Sequence, residues 1–224
     1  MCGRFTRAIS AAGVAEAFGV DEISSDLKAS YNIAPTQSVA VIISDGKKRL
    51  IEVRWGLVPS WAKDPAVGNK MINARAETIT EKASFRNAFK KRRCLVVADG
   101  FYEWQKIGDG KRPVYIRLKS GKPFGMAGLY EVWHSPEGEE LMTCAIITTE
   151  ANELMRPIHE RMPVIIAKDN EDLWLDPQVQ DTPVLRELLH PYPAAEMEAY
   201  PVSKRVNSPA ANAPDCIKPV TSVD

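Results

Sequence analysis

Cys2 is the residue whose position gives it unusual chemistry. A methionine followed by a small residue is the substrate of methionine aminopeptidase, so loss of Met1 is expected. Cys2 would then carry a free α-amine next to its thiol, a 1,2-aminothiol. Such an amine titrates near 7.7–8.0 against about 10.4 for lysine, so its neutral, nucleophilic fraction at pH 7 exceeds a lysine's by roughly two orders of magnitude. It can condense with an aldehyde to a Schiff base, and the thiol can close onto the imine carbon to give a thiazolidine ring, far less hydrolysable than an imine. On its own, a cysteine at position 2 is better explained as a random occupant of a frayed terminus.

Other polar residues stand in apolar surroundings: NIAPTQ at 32–37, RWGLVPSW at 54–61, INARAE at 72–77, DGFYEW at 99–104 and RPIHERMPVI at 156–165. Glu103 is flanked by Phe101, Tyr102 and Trp104 directly after the apolar run RCLVVAD. That places its carboxyl at a strand end against aromatic rings, where burial raises a carboxyl pKa toward neutrality and suits it to moving protons. A surface glutamate in a hairpin fits the same residues. His159 lies between Pro157 and Pro163; a lone histidine is more often a packed core residue than a catalyst. His134 and His190 stand in no comparable motif.

The elements that must position these groups are mainly strands. Apolar runs at 39–44, 49–56, 93–99, 113–118, 124–133 and 141–149 predict six strands, and the turn signals GDGKRP and SPEGEE close hairpins. Ser10 caps a short helix over SAAGVAEAF, with further helical candidates at ASFRNAF, ANELM, EDLWL and TPVLRELL. The expected fold is α+β: a β-rich single domain, residues 1–224, with a curved, barrel-like mixed sheet and short peripheral helices. At 224 residues and 45% hydrophobic content the chain can bury a full core. No long apolar run or secretory signal is present, so a cytoplasmic protein, or a nuclear one in a eukaryote, is expected. Cys94 and Cys144 lie in strand patterns and read as buried, inert thiols. Cys216, in the tail NAPDCIKP, reads as exposed or half-exposed. None of the four cysteines has metal-ligand spacing, and no metal or cofactor is expected. The formal net charge is zero, which argues against coating nucleic acid by bulk positive potential. The basic stretch 86–93 fits a solvated helix face or a phosphate contact.

MCGR at the extreme start, NARAE, DGFYEW and IHERMP, in this order and spacing and running on to SKRVNSP, closely resemble the SRAP family, the SOS response-associated peptidases whose members process abasic sites. The resemblance implies Cys2, Asn73, Glu103 and His159 as the catalytic set: Cys2 bonding to the abasic sugar, Glu103 and His159 moving protons, Asn73 orienting amine or sugar. It implies Arg4, Arg75 and Arg161 on phosphates, where a guanidinium fork suits the oxygens; Asn32 is expected in the DNA interface, and of Trp55 and Trp61, which bracket the loop GLVPS, Trp61 is expected to stack on a base beside the lesion and Trp55 to pack in the core. The implied partner is single-stranded DNA containing an abasic site, bound with little sequence preference by a monomer and captured as a covalent thiazolidine crosslink that protects the lesion from cleavage. A lyase activity can accompany the imine. Two rivals remain: an N-terminal-cysteine peptidase that processes Met1, and a non-covalent single-stranded DNA-binding module.

Overall fold

All six apolar runs form strands in the computed structural model, which describes residues 2–220. In chain order the strands are β1 (Phe5–Arg7), β2 (Glu22–Ile23), β3 (Ser30–Ile33), β4 (Ser38–Ser44), β5 (Lys48–Trp55), β6 (Asn73–Arg75), β7 (Arg93–Ala98), β8 (Gly100–Ile107), β9 (Gly110–Leu118), β10 (Phe124–His134), β11 (Glu140–Glu150), β12 (Arg161–Pro163) and β13 (Met197–Pro201). The helices are short: α1 (Ala11–Phe18), α2 (Arg86–Lys91), α3 (Glu171–Leu175) and α4 (Thr182–Arg186).

The central strands are continuous apolar runs because both of their faces are buried. Val39, Val41, Ile43, Cys94, Val96, Cys144 and Ile146 share one core with Phe5, Phe101 and Ile116 of a second sheet. Their neighbours Ala40, Ile42, Leu95, Val97, Ala145 and Ile147 pack with Phe18, Phe89, Trp174 and Leu185 of the helices. The period of two in the backbone thus sorts one set of side chains toward the second sheet and the other under the helices.

Strands β11, β10, β7, β4 and β5 pair in that order, and a parallel pairing of Thr143 with Arg54 and Cys144 with Trp55 joins β11 back to β5. Four antiparallel pairings and one parallel one make this a closed five-strand mixed barrel, as the strand pattern predicted. The second sheet runs β13-β9-β8-β1-β3. Its strand β1 is central, with Phe5 facing Phe101 of β8 on one side and Ile33 of β3 on the other.

The junction of β7 and β8 locks β1 in place. Asp99 accepts hydrogen bonds from Thr6 Oγ1 and from the backbone N–H groups of Ala8 and Ile9. Gly100 follows because any Cβ there would meet the Tyr115 hydroxyl at 2.1 Å.

Ser10 caps α1 as expected, its side chain accepting from the Gly13 amide. Three local expectations are corrected. Glu103 sits inside strand β8 and not at a strand end, because Asp99 turns the chain and β8 restarts at Gly100. ANELM forms turns in place of a helix, since Asn152 Oδ1 accepts from the Met155 amide and Pro157 stops any helical continuation. Cys216 is buried, 2% exposed, in a 3-10 turn at Pro214–Ile217 that folds back onto Tyr102 and Tyr115.

The basic stretch divides. Arg93 is buried and donates to the carbonyls of Phe89, Lys90, Trp174, Asp176 and Val179, while Arg92 pairs with Glu131 at 2.6 Å. Arg86, Lys90 and Lys91 remain exposed.

Candidate active site around Cys2

The residues entering β1 deliver Cys2 to the space between barrel and second sheet, where it is buried beside Phe5 and Trp55. Burial pushes its thiol well above the usual cysteine range, and the Glu103 carboxylate adds to the shift. The thiol is therefore protonated at rest.

Asn73 opens β6, which lies parallel to β11 with Asn73 opposite Ile146. Its Nδ2 donates to the Cys2 carbonyl at 2.8 Å, and its Oδ1 is buried with no hydrogen-bond partner among the described residues. Glu103 is only 3% exposed in β8, and burial raises its carboxyl pKa, with the nearby charge of His159 opposing the shift. His159 ends the turn after β11; its Nδ1 accepts the Arg161 backbone N–H at 3.0 Å. In the neutral ring the proton is thereby assigned to Nε2. Cys2, Asn73, Glu103 and His159 come from four separate parts of the chain and share one neighbourhood.

Around this centre, Arg4 is half-buried and Nη1 donates to Asn32 Oδ1 and to the Val206 carbonyl, each at 2.7 Å. Its guanidinium lies over the Trp104 ring, 5.7 Å from the centroid. No carboxylate lies within ion-pair distance of Arg4 among the described residues, and its Nε is buried without a partner. Asn32, 1% exposed, spends its Nδ2 on the carbonyls of Val206, Ser208 and Ala211, at 3.3, 3.0 and 2.7 Å. Its contacts are thus to protein. Arg75 and Arg161 flank the end of β11, opposite Thr148 and Glu150 respectively. Arg75 is exposed, whereas Arg161 forks onto Glu77 at 2.5 and 3.0 Å and also bonds the Thr148 carbonyl.

Trp61 is 65% exposed on a stiff loop. Gly56 and Gly68 cross there so closely that a Cβ on Gly56 would meet the Gly68 oxygen at 2.6 Å, and Trp133 Nε1 holds the Ala62 carbonyl at 2.7 Å. Sequence reasoning missed Asn207, whose Oδ1 accepts from Trp104 Nε1 at 2.8 Å. Its only signal was its place in SKRVNSP.

The Cys2 main chain, held by Asn73, thus lies in one neighbourhood with a buried carboxyl and a histidine. The chain belongs to the SOS response associated peptidase (SRAP) family, whose model matches residues 1–209. It is 50% identical over 222 residues to the abasic site processing protein YoqW of Bacillus subtilis, covering 97% of this chain and 99% of that one. It is 37% identical to the abasic site processing protein HMCES of Gallus gallus, over 85% of this chain and 66% of that one. A crystal structure of a protein from Bacteroides thetaiotaomicron superposes with a TM-score of 0.89 at 32% identity, covering 98% of this chain and all of the other.

Proposed function

We propose that this chain processes abasic sites, binding single-stranded DNA and capturing the ring-opened deoxyribose on Cys2. The observation that carries the reading is the tether from Asn73 to the Cys2 carbonyl. It fixes the main chain of Cys2, whose thiol feels the charge of the buried Glu103 carboxyl. Met1 lies outside the described residues, and its removal is part of the proposal.

The neutral amine attacks C1′ of the aldehyde and water leaves, forming the imine. The Cys2 sulfur then adds to C1′ while its proton ends on the ring nitrogen, closing the thiazolidine. A protonated thiol favours this amine-first order. Glu103 accepts and returns protons as the carbinolamine forms and dehydrates, and His159 offers Nε2–H to the sugar oxygen. The buried, unpartnered Asn73 Oδ1 accepts an N–H or O–H of the adduct. Arg4, held rigidly and with no counter-ion among the described residues, takes a phosphate; Arg75 and Arg161 take others, and Trp61 stacks on a neighbouring base. Asn32 serves the interface through Arg4. An abasic nucleotide presents no base edge, so low sequence preference follows. The high resting pKa of the thiol weighs against the peptidase reading.

The test mixes protein lacking Met1 with a single-stranded oligonucleotide carrying one abasic site, followed by a denaturing gel and intact mass, with Cys2→Ala alongside. A heat-stable adduct that the variant lacks is expected. Retention that is only salt-sensitive and non-covalent replaces the proposal with a binding module.

A further inference from the structure

Glu103 and Gln105 stand two residues apart on β8, so their side chains leave the same face of the strand. Gln105 reaches from that face to the turn that carries His159: its Nε2 donates to the Pro157 carbonyl at 3.1 Å. The other end of the amide is also occupied, since Gln105 Oε1 accepts from Arg112 Nη2 at 2.7 Å, and the two residues are direct cross-strand partners in the β8–β9 hairpin.

The turn itself is stiff. The amides of Ile158 and His159 both donate to the Met155 carbonyl at 2.8 Å. Asn152 anchors the start of the turn, Oδ1 accepting from the Met155 amide at 3.0 Å and Nδ2 donating to the Tyr192 carbonyl at 2.7 Å. These bonds hold Met155 to His159 together, and Gln105 ties that segment to the strand that carries Glu103.

We propose that Gln105, oriented by Arg112, is a positioning residue that sets the separation between Glu103 and His159. The inference rests on reading those two groups as the proton-transfer pair. A displacement of about 1 Å at a reacting group costs up to about a hundredfold in rate. Two hydrogen bonds at a partly exposed side chain contribute little to holding the fold, so their loss reaches the chemistry without unfolding the protein.

The experiment compares Gln105→Met, which keeps the length and removes both hydrogen bonds, with Gln105→Lys, whose ammonium can again donate to the Pro157 carbonyl. Single-turnover crosslinking at saturating abasic oligonucleotide is followed across pH. Non-covalent affinity is measured on an oligonucleotide with a tetrahydrofuran in place of the abasic sugar. Amide exchange is measured at Ile158 and His159. Gln105→Met should crosslink about tenfold to a hundredfold more slowly, with a displaced pH profile, unchanged tetrahydrofuran affinity and unchanged Tm, and with faster exchange at both amides; Gln105→Lys should recover most of the rate. Wild-type rate or unaltered exchange in Gln105→Met overturns the proposal, as does a parallel loss of rate, affinity and Tm. If exchange quickens as expected but wild-type protein forms no crosslink, the role of the Glu103–His159 pair falls, and the inference falls with it.

Discussion

Asn73 donates to the Cys2 carbonyl while its own carbonyl oxygen is buried with no partner among the described residues. One side chain therefore both anchors the Cys2 main chain and, among the described residues, presents an unfilled acceptor beside it. Asn73→Asp replaces the donor by an oxygen and should slow crosslinking by about a hundredfold, within the range lost when one oriented hydrogen bond at a reacting centre is removed. Asn73→Ala should do similar damage. Single-turnover rates on an abasic oligonucleotide check this; rates within twofold of wild type refute it.

Arg4 faces Asn32, the Val206 carbonyl and the Trp104 ring, with no carboxylate in range among the described residues. Arg4→Ala should weaken single-stranded DNA binding and lower the slope of log affinity against log salt by about 0.7, the signature of one lost phosphate contact on a single strand. Arg4→Lys should not restore it, since a compact ammonium lacks the planar fork that spreads donors between the internal acceptors and a phosphate. An unchanged slope places Arg4 outside the DNA path.

Burial raises the Glu103 pKa. The folded protein then holds the proton more tightly than the unfolded chain, so the contribution of this group to stability is full below about pH 4.3, the ordinary glutamate value, and is lost as pH rises through the folded pKa. Glu103→Gln should be more stable than wild type at pH 7, with the advantage shrinking to nothing at about pH 4. Urea midpoints at the two pH values measure it. The same variant should crosslink about a hundredfold or more slowly.

The Glu77 pKa is lowered, chiefly by its hydrogen bond from Arg161. Its contribution is present above the unfolded carboxyl value and disappears as pH falls through the folded one. Because the Glu77 side chain is 51% exposed, Glu77→Gln should cost under about 1 kcal/mol at pH 7. Releasing Arg161 from this counter-ion should tighten non-covalent DNA binding by several-fold at low salt. Looser or equal binding separates Arg161 from the phosphates.

Short motifs made the site residues legible because each sets a reactive side chain at a chain turn or strand where few residue types serve. Barrel strands were legible from their apolar runs. Strands β1, β3 and β13 were not, since FTR, SYNI and MEAYP are too short and too polar to show a period. The packing of the C-terminal segment was invisible for a different reason. Asn32 recognises the carbonyls of residues 206, 208 and 211, and backbone acceptors leave no trace in side-chain pattern. The burial of Cys216 follows from that same fold-back.

The bond from Arg4 to the Val206 carbonyl spans 202 positions of the chain. During translation Arg4 therefore waits for residue 206 before its surroundings are complete. At about 5–20 residues per second that wait is roughly 10–40 s, during which the segment that carries Cys2 lacks its closing contacts.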